Sequence, residues 1–373
     1  MLVHPQIEFP RAALAAVLAV ALVTASLSGC SAPKKPFGVI EPRIVPSSSE
    51  LGSRTIARDF AFEDIRVQLS VPVDQAVYAG SETAQKSAIF FGGAQPGDWV
   101  PGYYRAFVDE SHQTAFYASM AQALHQVRDR EHLDAARYVE LVTSMVQEME
   151  YRTDPVSLAP KFPIETFGDG YGDCDDKTLL AAGLLSRDGY DVAILLFAPE
   201  KHVALGIRAP GLDYKNTGYA YVEMTAPSLV GIPTEKLAGG GGLTSQPVVI
   251  KIGRSTGAYT EGAQVDYIRT RLQQLRTTLD EMAKEIAAHQ AELAGRRAAL
   301  ETAKQTVQAA ADPAAQTAAV RRYNTLVDEY NAFVAKSNAF GERSNALAEA
   351  ERYVAEHRNA RPQVYERLRA LAL

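Results

Sequence analysis

The hydrophobic pattern changes period several times along the chain. At 64–78, Ile65, Val67, Leu69 and Val71 alternate with polar residues, which predicts a strand with one buried face. Pro72 has no N–H to give and marks an edge strand or a break. Gly92, Gly93, Pro96, Gly97, Pro101 and Gly102 form a loop around Trp99. Helical spacing follows over 104–128 and 132–151. In the second stretch Tyr138, Leu141, Val142, Met145, Val146 and Met149 make one apolar stripe. A loop with Pro155, Pro160 and Pro163 leads into the glycine-spaced run that ends at Cys174. Helical spacing then resumes through Leu179, Leu180, Gly183 and Leu184 until Asp188-Gly189 stops it. Strand patterns occupy 190–198, 203–208 and 219–225, and Gly239 to Gly242 mark a loop or domain edge.

The last third has a different period. Val265, Leu272, Leu279, Ile286, Leu293, Leu300 and Val307 recur every seven residues, and Ile268, Leu275 and Met282 fill the second seam position. His289 and Arg296 then replace them and are expected to be solvated imperfections of the seam. Asp312-Pro313 breaks the run. A second run sets Leu326, Phe333, Phe340, Leu347 and Val354 beside Tyr323, Tyr330, Ser337, Ser344 and Glu351. The expectation is an antiparallel coiled-coil hairpin over 260–373, its first arm roughly 65 Å long at about 1.5 Å per residue. Asn324, Asn331, Asn338 and Asn345 share the same seven-residue repeat, as a helix flank or as a binding stripe.

Composition narrows the class. The net charge of −6 argues against a nucleic-acid partner, which would need a basic footprint. The two cysteines, Cys30 and Cys174, exclude a disulfide scaffold and a cysteine-cluster zinc site. Arg11 precedes an apolar run at 12–25, too short to span a bilayer comfortably and of signal-peptide length. It ends in Leu27-Ser28-Gly29-Cys30, which resembles the lipobox of bacterial lipoproteins. The resemblance implies lipidation of Cys30, a lipid anchor in a membrane and a place in the cell envelope. Ser31 after the cysteine points to the periplasmic side of the outer membrane. The expected domains are a signal peptide at 1–29, a Pro/Ser-rich tether at 30–50, a core domain at 51–250 and the hairpin at 260–373. An extended tether of that length reaches roughly 60 Å at about 3.1 Å per residue.

With Cys30 lipidated, Cys174 has no disulfide partner in the chain. It stands at a loop-to-helix junction, where the helix terminus favours a thiolate and its N–H groups can hold an oxyanion. Asp173, Asp175 and Asp176 oppose the thiolate. A cysteine nucleophile needs a base and a group to orient that base. His202 is the histidine beside a strand after the cysteine helix, and His202, Ala204, Gly206 and Arg208 share one face of it. On the next strand Tyr219, Tyr221, Glu223 and Thr225 share a face, so antiparallel pairing brings Glu223 to His202. A cysteine helix packed on that same side completes Cys174, His202 and Glu223 as a triad.

Gly172-Asp173-Cys174-Asp175-Asp176-Lys177, Lys201-His202-Val203-Ala204-Leu205-Gly206 and Tyr221-Val222-Glu223-Met224-Thr225 together resemble the transglutaminase-like superfamily, most of all its bacterial and archaeal cysteine-protease-like branch. Segments ahead of Cys174 are also similar, and the resemblance covers 104–228. It implies an α+β fold, a papain-like core with the cysteine helix packed on an antiparallel sheet. It implies Cys174 as nucleophile, His202 as base and Glu223 as orienting carboxylate. Two positions depart from the pattern: Val203-Ala204 stand where many members carry an aromatic residue, and Glu223 stands where many carry Asp. Gln147 and Trp99 are candidate oxyanion donors. Asp175 and Asp176 either favour the first helical turn or, as in some related proteases, bind Ca²⁺; no other cofactor is implied.

The expected function is that of an exported cysteine hydrolase or acyltransferase acting on a protein or peptide amide through a thioester. Proteolysis is favoured over deamidation and cross-linking. The alternative is a catalytically silent envelope scaffold that docks a partner through its coiled coil.

Overall fold

A computed structural model describes residues 38–40, 42–50, 52–87, 89–91, 99–153, 159–234, 237 and 240–373. The expected signal segment, Cys30 with the lipobox-like run before it, the first residues of the expected tether, most of the loop ahead of Trp99, Pro155 and Gly239 lie outside these residues.

The part of the tether that is described does not hang free. Strand β1 (Gly38–Ile40) pairs antiparallel with a later strand, and Ile44 is buried in the main apolar cluster. The Ser47 N–H donates to the Ala76 carbonyl at 2.8 Å. Over 42–50 the tether expectation is therefore corrected: proline-rich chain lies on the core because Ile44 has apolar surface to bury. Strands β2 (Ser53–Phe62) and β3 (Ile65–Asp74) form a hairpin with Phe62 opposite Ile65. Val67, Leu69, Val71 and Val73 face inward, as the alternation predicts, and β3 runs through Pro72. Asp74 caps helix α1 (Gln75–Glu82) by accepting from the Ala76 and Val77 N–H groups. Strand β4 (Ile89–Phe91) is the partner of β1.

The helix expected over 104–128 is two helices, α2 (Val100–Asp109) and α3 (Thr114–Arg130), joined by a single tight turn. The break is made by a buried side chain from the turn itself. Gln113 donates to the Phe107 carbonyl at 2.7 Å and accepts from the Ile164 N–H at 3.0 Å, replacing helical bonds with longer-range ones. Helix α4 (Ala135–Gln147) starts at its Asp134 cap and is buried throughout from Tyr138 to Gln147. Strand β5 (Glu150–Tyr151) follows. The proline loop contains a short helix, α5 (Pro163–Asp169), with Pro163 at its first turn and Gly170 left-handed at its end. Strand β6 (Tyr171–Gly172) pairs parallel with β5 and runs straight into α6 (Cys174–Arg187).

Strands β7 (Val192–Phe197), β8 (His202–Ile207), β9 (Ala220–Val222) and β10 (Val248–Ile252) form one antiparallel sheet in the order β10-β7-β8-β9. The fold is α+β, with α6 packed on this sheet. The side it covers is a correction. Leu179, Leu180 and Leu184 of α6 share an apolar cluster with Val203, Leu205, Ile207 and Val222, the faces opposite His202. Ala204 and Tyr221 belong to a separate cluster with Leu195 and Phe197, closed over by Tyr214 and Leu243.

Helices α7 (Gly262–Ala309) and α8 (Pro313–Glu356) run antiparallel, and α9 (Arg361–Arg369) folds back on their root. Deep burial concentrates at that root, in Ile268, Leu275, Met282, Leu347, Val354, Val364 and Leu368. His289 is not solvated: its ring sits between Phe333 and Phe340, with side-chain exposure of 12%. Arg296 lies over the Phe333 ring at 4.8 Å, and the four repeating asparagines are exposed. The root is fixed to the core by buried polar groups. Arg361 Nε meets Glu140 of α4 at 2.5 Å, and Asn359 donates to the Ala61 carbonyl at 3.0 Å. Among the described residues no helix is long and apolar enough to cross a membrane.

Candidate active site

Cys174 is the first residue of α6, and the turn before it is tightly specified. Asp173 is the N-cap, accepting from the N–H groups of Asp175 at 3.0 Å and Asp176 at 3.3 Å. Asp176 answers by accepting the Asp173 N–H at 3.1 Å and takes the Lys161 N–H at 2.6 Å on its other oxygen. Only glycine fits before this cap, since a Cβ on Gly172 would come within 2.6 Å of the Asp176 Cβ. Both Asp176 oxygens thus hold backbone N–H groups of the first turn and the chain ahead of it.

The sulfur is held between opposing influences. Burial, with Asp175 and Asp173 beside it, pushes the thiol pKa well up, while a backbone hydrogen bond from Val203 pulls it down. Sγ points to Asp175 Oδ1 at 3.4 Å. The other Asp175 oxygen accepts from the Tyr104 hydroxyl at 2.9 Å. Burial and Asp173 raise the Asp175 carboxyl to about 6, against the pull of Tyr104, Cys174 and His202.

His202 opens β8 and Glu223 directly follows β9. With Leu205 opposite Val222 and Gly206 opposite Tyr221, Glu223 falls diagonal to His202 on the same face. His202 Nε2 lies 3.4 Å from Glu223 Oε2 and 3.1 Å from the Tyr221 hydroxyl, which donates to that same oxygen at 2.5 Å. Glu223 Oε1 accepts from the N–H groups of Met224 at 3.0 Å and Thr225 at 2.9 Å, and from the Thr225 hydroxyl at 2.6 Å. Burial alone would raise this carboxyl; hydrogen bonds from His202, Thr225 and Tyr221 outweigh it and hold it at about 2. These bonds favour the carboxylate form of Glu223.

The first turn of α6 reaches the start of β8 through Val203, whose backbone bonds to the sulfur and whose carbonyl accepts from Thr178 at 3.4 Å. The hydrogen-bond partners of the sulfur are Asp175 and Val203, while His202 and Glu223 bond to each other and to Tyr221. The three groups are nearly inaccessible, at 8%, 6% and 3% exposure for Cys174, His202 and Glu223.

Several supporting residues were not read from the sequence. Tyr221 shares the period-two face with Glu223, a signal that was present. Lys177 is fully buried and donates to the carbonyls of Gln147 at 3.0 Å and Met149 at 2.8 Å; burial lowers it to about 8. Gln147 in turn donates to the carbonyls of Glu223 at 2.7 Å and Ser228 at 3.0 Å. Both amide hydrogens are thereby committed, so Gln147 is corrected from oxyanion donor to strap. Trp99 stands at the start of α2 with its ring edge-on to Tyr103. Asp173, Cys174 and Asp175 bring ligand atoms within 4.8 Å of one another, but both carboxylates already accept protein hydrogen bonds. The chain matches no family model, no curated protein and no solved structure.

Proposed function

We propose that this chain is a cysteine-dependent acyl hydrolase or acyltransferase with a transglutaminase-like, papain-like core. The observation that carries this reading is the buried His202–Tyr221–Glu223 cluster set against the first turn of the Cys174 helix. An anionic Glu223 fixes the imidazole through Nε2 and stabilises the imidazolium that forms when His202 takes the thiol proton. Nδ1 is then the nitrogen that serves Cys174. Sγ attacks an amide carbonyl, the imidazolium protonates the leaving amine, and a thioester remains. Water entering through His202 releases the acid; an amine acceptor gives transfer instead. A protein or peptide amide with water as acceptor is the favoured pairing. Leu27–Cys30 supports an envelope lipoprotein held at the periplasmic side of the outer membrane, with the hairpin reaching from it.

One observation favours the silent-scaffold alternative: the thiol is buried, raised in pKa and turned to Asp175 rather than poised as a thiolate. The two readings separate on peptide release from a denatured protein substrate. Wild type should release peptides and Cys174→Ala should not. No release from either protein leaves the scaffold reading in place, and equal release from both removes Cys174 as the nucleophile.

A further inference from the structure

We infer that Tyr221 is a positioning residue of this site, a hydroxyl set between His202 and Glu223 that dictates which ring nitrogen carries the proton. The inference rests on the catalytic reading of Cys174, His202 and Glu223. It is carried by three contacts and by hydrogen-bond bookkeeping. The direct His202–Glu223 approach is 3.4 Å, long for a hydrogen bond, whereas the Tyr221 hydroxyl lies 3.1 Å from Nε2 and 2.5 Å from Oε2. A hydroxyl has one hydrogen to give and lone pairs to receive. An ionised Glu223 only accepts, so the Tyr221 hydrogen goes to Oε2. What faces Nε2 is then a phenol oxygen and a carboxylate oxygen, both acceptors. Nε2 therefore bears the hydrogen, and the Nδ1 lone pair is left as the base.

The ring cannot swing away. Tyr221 is 1% exposed, with its centroid 5.2 Å from that of Tyr214 and 6.3 Å from that of Phe197. Burial and Glu223 also push its own ionisation far above neutrality, so it stays a donor. The titratable groups around the imidazole are Cys174 and Asp175 from α6, Tyr221 and Glu223 from the β9 strand end, and Tyr214 behind Tyr221; Lys177 and Tyr151 act on the same cluster through Glu223. Tyr221 thus has two effects. It fixes the tautomer, and it takes part of the Glu223 charge that would otherwise fall wholly on the imidazolium.

The test uses the full chain labelled with ¹⁵N-histidine, together with the pH dependence of Cys174 alkylation by iodoacetamide. In the wild type, neutral His202 should give the signature of the Nε2–H tautomer. Tyr221→Phe keeps the ring and removes the hydroxyl. It should move the limb of the Cys174 alkylation profile to higher pH. Glu223→Gln should move that limb to lower pH. An Nδ1–H tautomer in the wild type overturns the inference without any variant. An unmoved profile in Tyr221→Phe beside a moved one in Glu223→Gln also overturns it, leaving Tyr221 as packing and the catalytic reading intact. If neither variant moves the profile, the catalytic reading fails and the inference falls with it.

Discussion

The side-chain amide of Gln147 holds the main chain of Glu223: its Nε2 donates to the Glu223 carbonyl at 2.7 Å. The same nitrogen reaches Ser228, and the Gln147 carbonyl receives Lys177 from the cysteine helix. The C-terminal end of α4 is therefore the post to which both Glu223 and the Cys174 helix are tied. Gln147→Leu should leave two buried carbonyls unpaired and cost about 1–3 kcal/mol. Urea unfolding measures the loss, and a variant as stable as wild type would remove Gln147 from this role.

Asp175 opposes ionisation of the Cys174 thiol that it touches. Its folded carboxyl titrates near 6, above the ordinary aspartate value of about 3.9, so the folded state binds more protons through that interval. Stability should fall as pH rises from about 4 to about 6, and above that window the full penalty remains. Asp175→Asn keeps an acceptor for Tyr104 and removes the charge. It should gain stability over wild type across that window and hold the gain at pH 7. Cys174 should also alkylate several-fold faster at pH 7. A slower or unchanged alkylation rate would show that Asp175 does not restrain the thiol.

The buried Arg361–Glu140 pair joins the root of the hairpin to α4. Removing one partner strands the other charge, so Arg361→Ala should cost about 3–5 kcal/mol. Replacing both, as Glu140→Leu with Arg361→Met, should recover most of that loss. Thermal unfolding of the two proteins decides it. Equal destabilisation by the single and double variants would mean the pair carries no such coupling.

The sequence was most informative where burial follows a local period. The α6 helix, β3 and the strands about 190–225 are each legible from spacing alone. The elements that were missed lack that signal. Strand β2 carries Arg54, Arg58 and Asp59, and Arg58 is spent on the carbonyls of Phe167 and Gly168 far along the chain. The nine residues of α9 include three arginines, and its place depends on Arg361 finding Glu140. The break between α2 and α3 depends on Gln113 meeting Phe107 and Ile164. Which face of β8 the cysteine helix takes was also hidden, because every residue from His202 to Ile207 is buried. A strand apolar on both sides does not say which layer lies where. On the other side Phe197, Tyr214 and Tyr221, assembled from three segments, pack together with Leu243 against them.

The central claim is that Cys174, His202 and Glu223 act as one chemical unit, and the rate of Cys174 alkylation against pH in wild type and His202→Ala tests it most directly. If His202 takes the thiol proton, wild type should react far faster near pH 6 than a buried thiol would, and His202→Ala should lose that reactivity until the pH is high enough to ionise the thiol unaided. Superimposable profiles in the two folded proteins would contradict the account.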